Sequence, residues 1–413
     1  MISPEDTPAS TSALGSPTAP GEIPFEIPSG GHASPWKVAL IVGIIVLATL
    51  GYGWGTGWFA KPASSSYACS GELNLTGSGT ALPASILSAW SSGFRHYSGC
   101  FNVSYLTPGA SAGVSQLGSR TVYFAVTDAP LNASASAGLP DPFVTLPVAL
   151  SAVAIIYHIP GVPTGLDLTG AVLAGIYQGS ITNWNSSTIT TLNPGVSLPD
   201  LSIIPIHESG SSGATLATTT YFAQASSSWR DSVGVGATVA WPVGPSANDT
   251  EAMTSDVMEE AGSIGYLALP QASPTGTTCA NLSNPAGAFL SASSSNVAAA
   301  AQALAGGMPR GNASWADFTL VDAPGGTSYP IAAFSYVILY EDLGVAYGSQ
   351  LAKNSAGWLA TYFYWDVYFA QNYSATYSFV PLPANVVAAD VQILELLKYQ
   401  GSPLIGDPDQ DHD

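Results

Sequence analysis

Hydrophobic positions fall into two regimes along this chain. Val38–Ala60 (VALIVGIIVLATLGYGWGTGWFA) is one uncharged run, flanked by Lys37 and Lys61, and beyond it short apolar segments alternate with amphipathic ones. A spanning helix needs roughly 20 apolar residues, and Tyr52, Trp54, Trp58 and Phe59 gather at the end of the run as an aromatic belt would. The pattern predicts one transmembrane anchor over 36–60. Val38–Leu50 also has the length of a signal-peptide core, but the segment before it is long and acidic rather than short and basic.

After the run, Leu73–Leu75 reads as strand, Ala84–Arg95 as helix, Phe101–Leu106 as strand, Gly113–Ser119 as helix and Tyr123–Val126 as strand. A series of this kind predicts an α/β protein with mostly parallel, doubly wound sheets. In such sheets ligands bind beyond the carboxyl ends of strands, where helix N-termini present free N–H groups. The aromatic set Tyr362, Phe363, Tyr364, Trp365, Tyr368 and Phe369 reads as one buried helix. Residues 1–35, rich in Pro, Ser, Thr and Gly, are expected to be disordered, 61–69 to be a linker and 406–413 an acidic tail. The stretch from Glu72 to Leu404 is long enough for two domains.

Composition narrows the setting. Eight Lys plus Arg stand against 27 Asp plus Glu, with 8% charged residues and a pI near 4.2, so nucleic acid is excluded as a natural partner. A surface with so few ionisable groups changes little as carboxylates protonate. An acidic exterior, as an acidophilic archaeon meets, fits this; so does a merely acidic secreted protein. Sequons at Asn74, Asn102, Asn132, Asn185, Asn248, Asn281, Asn312 and Asn372 all follow the apolar run. They predict a single-pass protein of the cell membrane with its C-terminal region outside the cell.

Three cysteines allow at most one intramolecular disulfide. Cys69 and Cys100 each precede a strand-like segment and would meet in adjacent parallel strands, leaving Cys279 free or buried. No His, Cys or carboxylate cluster has metal-ligand spacing, so neither metal nor cofactor is expected.

Three small-residue loops sit where ligands are expected. Leu75–Pro83 (LTGSGTALP) opens a helix, Gly109–Gly113 (GASAG) follows a strand, and Ser209–Thr215 (SGSSGAT) precedes a helix over Leu216–Phe222. The first is not a dinucleotide fingerprint, since Leu82 holds the third glycine position, and none carries the Gly-Lys-Ser/Thr of a nucleotide loop. They are neutral cradles of N–H and hydroxyl donors, suited to a small anion. Gly109-Ala-Ser111-Ala-Gly113 also satisfies the nucleophile pattern of serine hydrolases, although neither His158 nor His207 has a persuasive setting as the base.

The order of motifs resembles the phosphate-binding subunit of phosphate ABC importers, a type II periplasmic-binding-protein fold. The resemblance rests on LTGSGTALPASILSAW (75–90), YLTPGASAGVSQL (105–117), FAVTDAPL (124–131), LTGAVLAGIYQGSITNW (168–184), LNPGVSLPD (192–200), VGVGATVAWPVG (233–244), GSIGYL (262–267) and VPLP (380–383). It implies two lobes, 70–147 plus 328–405 and 148–327. Phosphate would be held between them and passed to the importer's permease subunits by a monomeric protein that is not an enzyme.

Carried over residue by residue, the resemblance makes Asp128 the acceptor of a phosphate proton, and Ser212 and Gly213 donors at a helix start. The family's first-loop threonine is Ala81 here, beside Thr80, and its next residue is Leu82 rather than phenylalanine. The second-loop serine is Ala110, beside Ser111. The family's arginine and aspartate fall against His207-Glu208-Ser209-Gly210, where no arginine lies. In acid the monoanion carries two protons, which Asp128 and Glu208 could each accept. His207, charged below about pH 6, could stand in for the arginine. Other readings are a site for another small oxyanion or solute, and a surface adhesion or signalling ectodomain.

Overall fold

The computed structural model describes residues 67–68, 71–310 and 313–405, all within one compact unit spanning Pro62–Asp413. The Val38–Ala60 run lies outside the described residues. Among the described residues no helix is long and apolar enough to cross a membrane.

The first half-sheet opens with β1 (Leu73–Gly79), α1 (Ala84–Ser98), β2 (Phe101–Leu106), α2 (Ala110–Gly118) and β3 (Phe124–Thr127). The long strand β4 (Phe143–Tyr157) follows, then α3 (Gly170–Tyr177), β5 (Ile204–Pro205), α4 (Gly213–Ala225), α5 (Thr250–Glu259) and β6 (Ser263–Ala268). The chain returns through β7 (Ala332–Tyr340), α6 (Lys353–Tyr368) and α7 (Ala384–Leu394). Strands are ordered β2-β1-β3-β7-β4-β6-β5.

Two elements differ from the sequence reading for physical reasons. β1 runs on to Gly79 because Gly77–Gly79 pair in parallel with Phe124–Val126. Gly77 lies under the Phe124 ring, where a Cβ would come within 2.0 Å of it. Helix α2 starts at Ala110 rather than Gly113, since Gly109 at φ 101° makes the corner in a conformation disfavoured for residues with a Cβ.

The sheet is parallel only toward its two ends, β2-β1-β3 and β6-β5. Its middle is antiparallel, because β4 and β7 cross in opposite directions. β4 pairs with β7 along Phe143–Ala152 and with β6 along Val153–Tyr157, joining the two half-sheets. Its sequence FVTLPVALSAVAIIY is buried at every position after the first, as a central strand covered on both faces requires. Pro147 interrupts the ladder by lacking an N–H, and the register shifts between Ser335 and Tyr336 opposite it.

Helices α1 and α6 cover the first half-sheet with an aromatic cluster. Phe94 meets Phe101 edge-on at 5.6 Å and Tyr362 at 5.3 Å, pairs that each add about 0.5–1.5 kcal/mol beyond area burial. The Ile176-Tyr177-x-Gly179-x-Ile181-x-x-Trp184 motif anchors the other half. The Tyr177 hydroxyl donates to the Ile206 carbonyl at 3.0 Å and the Trp184 indole to the Gly262 carbonyl at 2.9 Å. β1 and β2 are adjacent and parallel, with Leu73 opposite Phe101, and Cys100 is disulfide-bonded. Its expected partner Cys69 lies outside the described residues; Cys279 is a free thiol.

Candidate functional site

Three helices bring their first turns to one cleft of about 1400 Å³. Ala81 and Leu82 line it at the entrance to α1, Ala110 and Ser111 from α2, and Ser212 and Gly213 from α4. The first N–H groups of a helix have no partner within it and carry the positive end of its dipole. Their meeting creates an anion site without a cation.

Asp128 stands in that cleft just past the end of β3. The Thr80 hydroxyl donates a short hydrogen bond to Oδ2, and the Ser335 hydroxyl donates to Oδ1 at 2.8 Å. Tyr105 braces this pair by donating to the Thr80 carbonyl at 2.7 Å. Burial pushes the Asp128 carboxyl up to about 6; the two hydroxyls hold it down, while the charge of Glu208 raises it further. Both oxygens are thus pinned as acceptors, and the proton of a ligand can share them.

Glu208 lines the same cleft from a short strand just beyond β5, paired with Ser246–Ala247. Burial raises its carboxyl above the ordinary range, opposed by the Ser212 and Thr215 hydroxyls. Its backbone N–H donates to the Tyr266 hydroxyl at 3.1 Å, which is 2.8 Å from the Thr215 hydroxyl. Ser212 caps α4, its Oγ accepting from the N–H groups of Ala214 at 3.1 Å and Thr215 at 3.3 Å. The cap leaves the Ser212 O–H to donate, and neighbouring Gly213 lets the helix approach Asp128 closely.

Of the expected ligand residues, Thr80, Ala81, Leu82, Ala110, Ser111, Asp128, Glu208, Ser212 and Gly213 all line the cleft. The His207 side chain does not reach its lining: the ring lies flat on Trp241, centroids 5.0 Å apart and planes 11° from parallel. A ring stacked there buries apolar area and stands away from an incoming anion. Among the described residues no histidine lines the cleft beside Ser111. No group of His, Cys, Asp and Glu among the described residues is arranged to hold a metal.

Sequence reasoning missed Ser335, Tyr105 and Tyr266. Ser335 lies 207 positions from the carboxylate it touches and belongs to no small-residue loop. No local signal in the sequence marks it.

Two half-sheets joined by crossing strands, with helix N-termini and a pinned carboxylate between them, define a solute-binding protein of the periplasmic-binding type. The profile of the PBP superfamily domain matches residues 58–365. The phosphate-binding protein PstS of Xylella fastidiosa is 31% identical over 326 residues, covering 76% of this chain and 83% of its own. PstS of Pasteurella multocida is 30% identical over 321 residues, covering 76% and 87%. In fold the chain is similar to a high affinity periplasmic phosphate-binding protein, PfluDING, solved with phosphate at pH 8.5. The TM-score is 0.59 at 18% identity, over 76% of this chain and 92% of that one. The chain belongs to the PBP superfamily, in the family of the phosphate-binding proteins PstS.

Proposed function

We propose that this protein captures inorganic phosphate outside the cytoplasm, between lobes 70–147 plus 328–405 and 148–327, and delivers it to the permease subunits of an ABC importer. The observation that carries this reading is the meeting of three helix N-termini on Asp128, a carboxylate that two hydroxyls hold as a proton acceptor. Phosphate differs from sulfate in bringing a proton, and an acceptor facing an unprotonated oxygen is costly. The PstS relatives support phosphate as the ligand and the importer as the partner.

Ala81, Leu82, Ala110, Ser111, Ser212 and Gly213 supply backbone and hydroxyl donors, Thr80 holds Asp128 through its hydroxyl, and Glu208 is a second acceptor. The protein works as a monomer, held at the membrane by the Val38–Ala60 run so that it cannot diffuse from its permease. Closure of the lobes about β4 and β7 is the hinge motion such a cleft needs.

A thermal-shift series tests the ligand. A ligand at a hundred times its Kd stabilises a folded protein by about 2.7 kcal/mol, so phosphate should raise the melting temperature by several degrees while equal sulfate leaves it unchanged. A rise with sulfate but none with phosphate would assign the cleft to another oxyanion.

A further inference from the structure

We infer that the cleft takes phosphate as the singly charged, doubly protonated ion, with Asp128 and Glu208 accepting one proton each, so that binding above neutral pH is coupled to proton uptake. The inference rests on the phosphate reading and concerns which form of phosphate is held.

The argument begins with charge. Four carboxylates line the cleft, those of Asp128, Glu208, Asp249 and Asp317, and among the described residues no Lys, Arg or His joins them. Three of the described cations are engaged elsewhere: Arg95 pairs with Glu72, Arg120 with Asp141 and Lys398 with Glu341. A doubly charged phosphate would meet these carboxylates with only helix dipoles and hydroxyls in compensation, and each dipole end is worth about half a charge. Moving one proton onto the ligand removes one negative charge and creates a second donor.

Geometry then selects the acceptors. Asp128 and Glu208 line the same cleft, one from just past β3 and the other from a short strand beyond β5. Asp249 is occupied, its Oδ1 capping α5 by accepting from the Ala252 N–H at 2.8 Å. Asp317 in the lining is exposed to solvent, and the other titratable neighbours are phenols: Tyr105 behind Asp128, Tyr266 behind Glu208, and Tyr336 in the lining. Burial holds all three phenols above their ordinary range, so they stay neutral wherever the carboxyls titrate. Burial raises both Asp128 and Glu208, which keeps protons within the site. Sulfate brings no proton and would face two bare acceptors.

The test is calorimetric titration of the full chain with sodium phosphate from pH 5 to pH 8.5, in buffers of different ionisation enthalpy. At pH 8 free phosphate is mainly the dianion, so the inference expects uptake of about one proton per phosphate and a Kd that weakens about tenfold per pH unit. Glu208→Gln should lose most of that pH dependence and bind sulfate more tightly than the parent. Phosphate binding with no proton uptake and a Kd flat between pH 6 and pH 8.5 would overturn this inference and leave the phosphate reading intact. Absence of phosphate binding at every pH would overturn both.

Discussion

Gly213 packs so closely on Asp128 that a Cβ on the glycine would lie 2.5 Å from the aspartate Cβ and 3.0 Å from its carbonyl oxygen. The two residues come from opposite half-sheets, and their contact places the N-terminus of α4 against the proton acceptor. A Gly213→Ala variant should fail to close over its ligand. We expect phosphate affinity to fall at least tenfold, about 1.4 kcal/mol, with the ligand-free melting temperature near the parent's because an open cleft relieves the clash. Unchanged affinity in a titration would remove this contact from the binding account.

The hydroxyls on Asp128 should matter separately. Hydrogen bonds to charged groups contribute about 1.5–3 kcal/mol, so Thr80→Val and Ser335→Ala should each weaken phosphate binding by roughly tenfold or more. Ser335→Ala is the sharper test, since that hydroxyl reaches Asp128 from the crossing strand. Parental affinity in both variants would show that the carboxylate needs no pinning.

Two carboxyls that do not line the cleft set a pH dependence of stability. Asp366 on α6 and Asp390 on α7 are fully buried, and the Asp390 carboxyl has no hydrogen-bond partner among the described residues. Burial raises both well above the ordinary range, with Tyr362 beside Asp366 and Tyr336 near Asp390. A raised folded-state value means the folded protein holds its proton more tightly. The stability this contributes is complete below the unfolded value near 3.9 and is lost as pH rises toward the folded one, by about 1.4 kcal/mol per pH unit for each group. The melting temperature should therefore decline from pH 5 to pH 8, and Asp390→Asn should flatten the decline. A parent protein more stable at pH 8 than at pH 5 would contradict this sign.

Ser212 caps α4 and lines the cleft at once. Removing a serine cap costs about 1 kcal/mol, so Ser212→Ala should lower the melting temperature by a few degrees. It should also weaken phosphate binding, whereas Ser212→Thr should restore both. A variant that loses stability but keeps parental affinity would make the serine a cap only.

How far the sequence reveals this molecule depends on the range of the interactions involved. Helix and strand identities are local, and Ala84–Ser98 and Phe101–Leu106 follow directly from periodicity. The three helix-start loops are legible for the same reason, since small residues before an amphipathic run announce a helix N-terminus. The antiparallel middle of the sheet is not, because the partner of β4 lies some 180 residues on, in β7. Ser335 and the stacking of His207 on Trp241 depend on that same long-range assembly, and composition could not reveal either. His207 shows the hazard in another way: adjacency to Glu208 in sequence places the two side chains on opposite sides of a short extended segment, so only one can face the ligand.

The central claim is that Asp128 receives a proton from phosphate bound at three helix N-termini. Titrating the parent and Asp128→Asn side by side at pH 7, where the Asp128 carboxyl is ionised before phosphate binds, with phosphate and with sulfate, tests it most directly. Asparagine keeps the shape but offers one acceptor oxygen and adds a donor. The parent should bind phosphate and reject sulfate, and the variant should lose phosphate affinity at least tenfold while its preference over sulfate narrows. Equal phosphate affinity and undiminished selectivity in the variant would contradict the account.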